Sequence, residues 1–184
     1  MKSCDERICH TYEHPIDILV DFMKYGTMLA LHCYLIPRRV MEIAGLWDES
    51  LSLNDDGEWF ARIISVSEIL VYCDGIEVCY RDTPNSLSKS KSIQAMNSEI
   101  WGYIHHAEIA RRSGNSETNS IIFKFLSGKL SFYYPYYKEY RLVGEMYLKS
   151  KMPDMELSYP HLPFKVWMYY WAARLGLLKK HLPF

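Results

Sequence analysis

Gly45-Leu46-Trp47-Asp48-Glu49-Ser50-Leu51-Ser52-Leu53-Asn54-Asp55-Asp56-Gly57-Glu58-Trp59-Phe60-Ala61-Arg62 is the stretch on which the reading of this chain turns. It holds the densest group of acids in the sequence: Asp48, Glu49, Asp55, Asp56 and Glu58. Trp47 and Trp59 flank the second set, and the apolar run 60–66 follows at once with helical spacing. The pattern puts carboxylates on a turn that feeds the first turn of a helix. Such a place suits a helix cap, a metal, or a general base aimed at a sugar.

Two physical readings compete. In the first, Asp55 is an N-cap and Glu58, three residues on, completes a capping box with Asp in place of Ser or Thr. Acids in a first helical turn also suit the positive end of the helix dipole. In the second, a carboxylate takes the proton from an acceptor hydroxyl as that hydroxyl attacks. Capping uses Asp55 and Glu58 but gives no role to Asp48, Glu49, the adjacent aspartate or the two tryptophans. Arg62 lies four residues beyond Glu58, so an i,i+4 ion pair accounts for both without catalysis.

The string resembles the acceptor-side motif of family 2 glycosyltransferases, the inverting enzymes of GT-A type. That motif runs Gly-x-Phe/Trp-Asp-Glu, then an acidic pair, then a further acid and an Arg. Cys33-Tyr34-Leu35-Ile36-Pro37-Arg38-Arg39 resembles the strand and Arg that precede it. Val78-Cys79-Tyr80-Arg81 and Asn85-Ser86-Leu87-Ser88 resemble the run that closes the catalytic domain. The likeness covers about residues 15–90. It implies Asp56 as catalytic base with Asp55 as partner. It implies contacts to substrate from Trp47, Asp48, Glu49, Asp55, Glu58, Arg62, Arg81, Ser86 and Ser88. The sugar acceptor is the ligand it implies for these residues.

The sequence departs from that family in one respect. No Asp-x-Asp occurs, and no βαβ nucleotide-binding half precedes the motif. The expectation is therefore the C-terminal part of a transferase, truncated or split, and inactive without a separate donor-binding polypeptide. A divalent metal, Mg or Mn, is expected only with that missing half, and no cofactor on this part.

Composition sets the outer bounds. At 184 residues, 49% hydrophobic and 23% charged, the chain is globular and long enough for one domain with an appendage. A chain of that size buries about 70% of its unfolded surface without staples. The net charge of -1 argues against nucleic-acid binding, which needs a basic face. Five cysteines with no C-x-x-C read as reduced thiols in the cytoplasm. Cys4, Cys9, His10 and His14 fit no standard zinc spacing. Residues 1–14 are polar, without the apolar core of a secretory leader.

Taken in order, residues 16–25 read as a helix stopped by Gly26, residues 31–36 as a short buried strand, and 38–44 as a brief helix stopped by Gly45. Residues 69–73 and 76–80 are rich in β-branched and aromatic types on either side of Asp74-Gly75, and read as two strands. Three helices follow: an apolar stripe over 93–107 that ends near Ser113-Gly114, then 116–133 and 136–149. His105 and His106 point about 100° apart on the first of these, which makes a shared metal difficult. The expected fold class is α/β (α+β in this portion): a partial GT-A-type domain over 1–91 with few short strands, then a helical extension over 92–184. Residues 163–184 are aromatic and basic, the composition of a helix in a membrane interface. Docking of that helix on the extension is the competing reading. The functional expectation is a glycosyltransferase-like protein, cytoplasmic and peripheral to the inner face of the membrane. The alternative is a non-catalytic helical interaction or membrane-peripheral module.

Overall fold

The computed structural model describes residues 5–75, 83, 86, 87, 90, 92–133 and 138–155. Among these the chain forms six α-helices: α1 (Asp17–Tyr25), α2 (Arg38–Ala44), α3 (Asp55–Val66), α4 (Ile93–Ala110), α5 (Thr118–Tyr133) and α6 (Lys138–Lys151). Single 3-10 turns lie at Glu6–Ile8, Leu31–Cys33 and Arg111–Ser113. Contacts divide the chain into two compact units, Met1–Phe125 and Leu126–Phe184.

The expected α/β architecture is overturned: the described residues are helical and contain no strand. Their β pairing is one antiparallel bridge, in which Tyr12 and Leu70 exchange N–H···O bonds of 2.8 and 3.0 Å. Residues 31–36 form a 3-10 turn and then extended backbone at Tyr34 (φ -106°, ψ 136°). Strand propensity measures how side chains fit a pleated surface, and a strand needs a neighbour to take its N–H and C=O groups. Among the described residues, 31–36 join no β ladder. Among the described residues the next run pairs only at Leu70, and Val71 and Tyr72 are exposed. The companion run 76–80 lies outside the described residues.

Helix α4 organises the first unit, with α1 and α3 packed against it. Leu19 and Phe22 of α1 are buried, as are Phe60, Ala61 and Ile64 of α3 and Ile100, Tyr103 and Ala107 of α4. Each large apolar side chain so buried contributes about 1.5–3 kcal/mol before conformational entropy is charged against it. Ala61 and Ala107 are wholly buried, and their small side chains let the helices approach closely. Helix α4 is part of this core, and the first compact unit runs to Phe125.

In the second unit Leu126, Leu130 and Leu148 are fully buried. A Cβ at Gly144 of α6 would sit 2.5 Å from Leu130 Cδ2 of α5, so the two helices meet closely there. No helix among the described residues is long and apolar enough to cross a membrane. Residues 163–184, read as an interfacial helix, lie outside the described residues.

Candidate functional site

The paired aspartates open α3, but the capping box does not form. Asn54 is the N-cap residue, in the left-handed region at φ 59° and ψ 24°, and its side chain makes no capping bond. Glu58 turns inward instead, only 4% exposed. It receives Arg62 in a two-pronged pair, Nε to Oε1 at 2.8 Å and Nη2 to Oε2 at 2.9 Å, as the four-residue spacing predicts. His105 Nδ1 lies 3.4 Å from Glu58 Oε1.

Arg62 has further work. Its Nη1 donates to the Ala44 carbonyl at 2.7 Å and Nη2 to the Leu46 carbonyl at 2.9 Å. Trp59 Nε1 donates to the Gly45 carbonyl at 3.0 Å. These carbonyls stand at the end of α2, where helical partners run out. Glu58, Trp59 and Arg62 therefore tie the end of α2 to α3.

The other acids separate by environment. Asp48 Oδ1 accepts from Ser50 Oγ at 2.7 Å and Ser50 N at 2.9 Å, closing a turn. These bonds, the hydroxyl's first, hold the Asp48 carboxyl below the ordinary range. Asp55 Oδ2 accepts from Trp47 Nε1 at 3.2 Å, and Trp47 lies against Trp59 with ring centroids 5.1 Å apart. Glu49 is exposed.

Asp56 differs from all of them. Its Oδ1 accepts from the adjacent Gly57 N–H at 2.8 Å. Asp56 lines a cavity of about 20 Å³ together with Leu19, Phe22, Tyr34, Phe60 and His106. Tyr34 stacks on Phe60 at 4.0 Å between centroids, so an aromatic pair forms part of the wall. Burial pushes the Asp56 carboxyl above its ordinary range; the Gly57 N–H pulls it back, and the charge on Asp55 adds to the rise. A carboxylate raised in this way is a better proton acceptor near neutral pH than an exposed one.

Three residues that the acid motif does not single out surround the start of α3. Ser98 Oγ of α4 accepts from Ser52 N at 2.8 Å and Leu53 N at 3.0 Å, and donates to the Leu53 carbonyl at 2.7 Å. Asn54 is buried with its amide between two glycines: a Cβ at Gly57 would collide with Oδ1, and one at Gly102 would lie 2.5 Å from Nδ2. His106 is 8% exposed and its Nε2 has no hydrogen-bond partner among the described residues. Glycines at 57 and 102 were the available signal, since an interior helical glycine marks close approach.

Of the remaining residues carried over from the resemblance, Arg81 and Ser88 lie outside the described residues. Ser86 is half-buried, and its N–H donates to the Thr83 carbonyl at 3.3 Å. No group of three or more His, Cys, Asp or Glu side chains that could hold a metal occurs among the described residues. A larger cavity, about 350 Å³, lies away from the acid cluster beside the start of α1, where Tyr12 Oη donates to Asp21 Oδ2 at 2.9 Å. Set against protein-family models, curated proteins and solved structures, the chain gives no match in any of the three.

Proposed function

We propose that this chain carries the acceptor side of an inverting sugar transfer, with Asp56 as the general base. The observation that supports the reading is the isolation of Asp56. Asp48, Asp55 and Glu58 are engaged by Ser50, Trp47 and Arg62, whereas Asp56 lines an apolar-walled cavity and takes its hydrogen bonds from backbone N–H groups, that of Gly57 and its own. The resemblance of residues 45–62 to the family 2 acceptor motif agrees with that assignment.

In this reading the acceptor hydroxyl approaches Asp56 from the open side of the cavity and donates to its carboxylate. Its oxygen forms the new bond to the anomeric carbon, the bond to the nucleoside diphosphate breaks, and the proton stays on the Asp56 carboxyl. The cavity is too small for a sugar ring. The ring therefore lies outside, where Trp47 offers an exposed aromatic face held against Trp59. A separate polypeptide brings the nucleotide-sugar and the divalent metal. The site of action is the cytoplasmic face of a membrane, reached through residues 163–184.

The test is turnover of a panel of nucleotide-sugars by the chain mixed with a donor-binding half from a family 2 enzyme. Products are read by mass spectrometry. Transfer that Asp56→Asn abolishes supports the reading. No transfer, or equal transfer by Asp56→Asn, overturns it. Binding to anionic vesicles, lost on removing residues 163–184, tests the placement.

A second reading has its own observation. From residue 27 to residue 53 no side chain is buried, and Leu35 and Leu46 are 100% and 92% exposed. So much apolar surface favours a protein-binding module. In that case Asp56→Asn leaves partner binding unchanged, and substitutions of Leu35 and Leu46 remove it.

A further inference from the structure

We infer that His106 is a positioning residue for Asp56, acting through one buried water that its Nε2 and the Asp56 carboxylate hold between them. The inference deepens the reading of Asp56 as general base and rests on it for its significance, but not for its test.

Three observations carry it. His106 of α4 and Asp56 of α3 line the same cavity. That cavity measures about 20 Å³, above the 10–15 Å³ or so that a single water requires. Nε2 of His106 is buried and has no partner among the described residues, and a buried polar atom left so costs about 1–3 kcal/mol. The rest of the wall is apolar but for Tyr34, whose ring is stacked on Phe60, so Asp56, His106 and Tyr34 are the titratable groups facing the space. Phe22 of α1 meets the imidazole edge-on, with ring centroids 6.2 Å apart.

Burial holds His106 neutral, lowering it to about 4, with the Leu19 carbonyl opposing weakly. A neutral ring donates from one nitrogen and accepts at the other. With Leu19 taking the donor, Nε2 is an acceptor. A water in the cavity gives one proton to Nε2 and the other to the Asp56 carboxylate. The carboxylate is thereby aimed and its charged form favoured, while the acceptor hydroxyl of a substrate approaches from the open side.

The sign of one titration tests this. Replacing His106 by Leu removes the acceptor; the water loses its second partner, and Asp56 loses a donor to its charged form. The Asp56 pKa, followed by carboxyl carbon NMR, should rise by about one unit. His106→Gln, which keeps an acceptor, should restore it. If His106 is merely packing, the smaller Leu lets more solvent in, and the Asp56 pKa stays or falls. That result overturns the inference. Should the Leu variant not fold, the wild-type protein decides: Nε2 must show the nitrogen chemical shift of a hydrogen-bonded, unprotonated imidazole nitrogen. A free lone-pair shift overturns the inference equally. Neither readout needs turnover, so failure here is distinct from failure of the sugar-transfer reading.

Discussion

Replacing Gly102 by Ala should destabilise the protein, although the same change in an ordinary exposed helix would stabilise it. Gly102 lies inside α4 and is buried. Removing a glycine from a helix interior is worth roughly 0.5–1 kcal/mol in backbone entropy. Here the new methyl meets Asn54: 2.5 Å from Nδ2 and 3.1 Å from the backbone oxygen. The amide cannot swing clear, because its Oδ1 end is pressed on Gly57. The backbone oxygen can move only if the N-terminus of α3 moves with it. Overpacking of this kind costs about 1–3 kcal/mol, which leaves a net loss of about 1–2 kcal/mol.

Urea unfolding followed by tryptophan fluorescence reads the effect, since Trp47 and Trp59 flank the strained turn. With a slope of about 1–3 kcal/mol per molar, a loss near 1.5 kcal/mol lowers the midpoint by roughly 0.5–1.5 M. Two companions make the result specific. Gly128→Ala in α5 meets nothing within 4 Å and should raise stability slightly. Asn54→Gly tolerates φ 59° and removes the colliding amide, so Asn54→Gly with Gly102→Ala should recover at least about 1 kcal/mol beyond additivity. A Gly102→Ala protein as stable as the parent, or more so, would refute the packing argument.

Arg62→Lys should cost about 2 kcal/mol in the same assay. A lysine keeps the charge but cannot reach Glu58, Ala44 and Leu46 together, and buried Glu58 loses its two-pronged partner. Ser98→Ala strips two donors and one acceptor of their shared partner, so amide hydrogen exchange at Ser52 and Leu53 should quicken by tenfold or more, for a loss of about 1–3 kcal/mol. The His106 pKa is lowered, so the unfolded chain binds the proton more tightly than the folded one. Stability from this group is complete above about 6.5 and is lost as pH falls from there towards 4, by about 3 kcal/mol in all. His106→Phe should flatten that part of the stability–pH curve, and an unchanged slope would place the ring in contact with solvent.

The helices were legible because their signals are local. Residues 38–44 with Gly45 behind them, the stop at Gly26, and the stripe of α4 closing at Gly114 all follow from spacing and one left-handed glycine. The strands were not, because a strand is a pair. Residues 31–36 and 69–73 have the composition, yet whether a neighbour exists is a property of the whole chain. The start of α3 was misread for a related reason. Asp55-x-x-Glu58 fits a capping box, but burial of Glu58 against Arg62 outweighs a surface cap, and the helix begins after Asn54. The ion pair itself was readable from the four-residue spacing. Asn54 and Ser98 escaped notice, and His106 was weighed only as half of a metal pair with His105, because their partners include residues distant in sequence.

The dispersal of the acid cluster bears on what the motif is for. Five carboxylates within eleven residues repel one another, and a chain selected for stability alone would thin them. The structure instead gives most of them a side-chain hydrogen-bond donor, charged only in the case of Glu58. Ser50 serves Asp48, Trp47 serves Asp55, and Arg62 serves Glu58. These donors also brace the loop that leads to α3. Asp56 has only backbone amide donors among the described residues and stands against apolar walls, and its burial raises its proton affinity despite them. A cap would be best served by a low proton affinity, because the charged form is the one that meets the helix dipole. Burying Asp56 runs against that purpose and towards proton transfer. If Asp56→Asn leaves stability unchanged or improves it while the same change at Asp48 weakens the protein, this difference is real. If both changes cost the same, Asp56 is one more structural acid and the catalytic reading loses its footing.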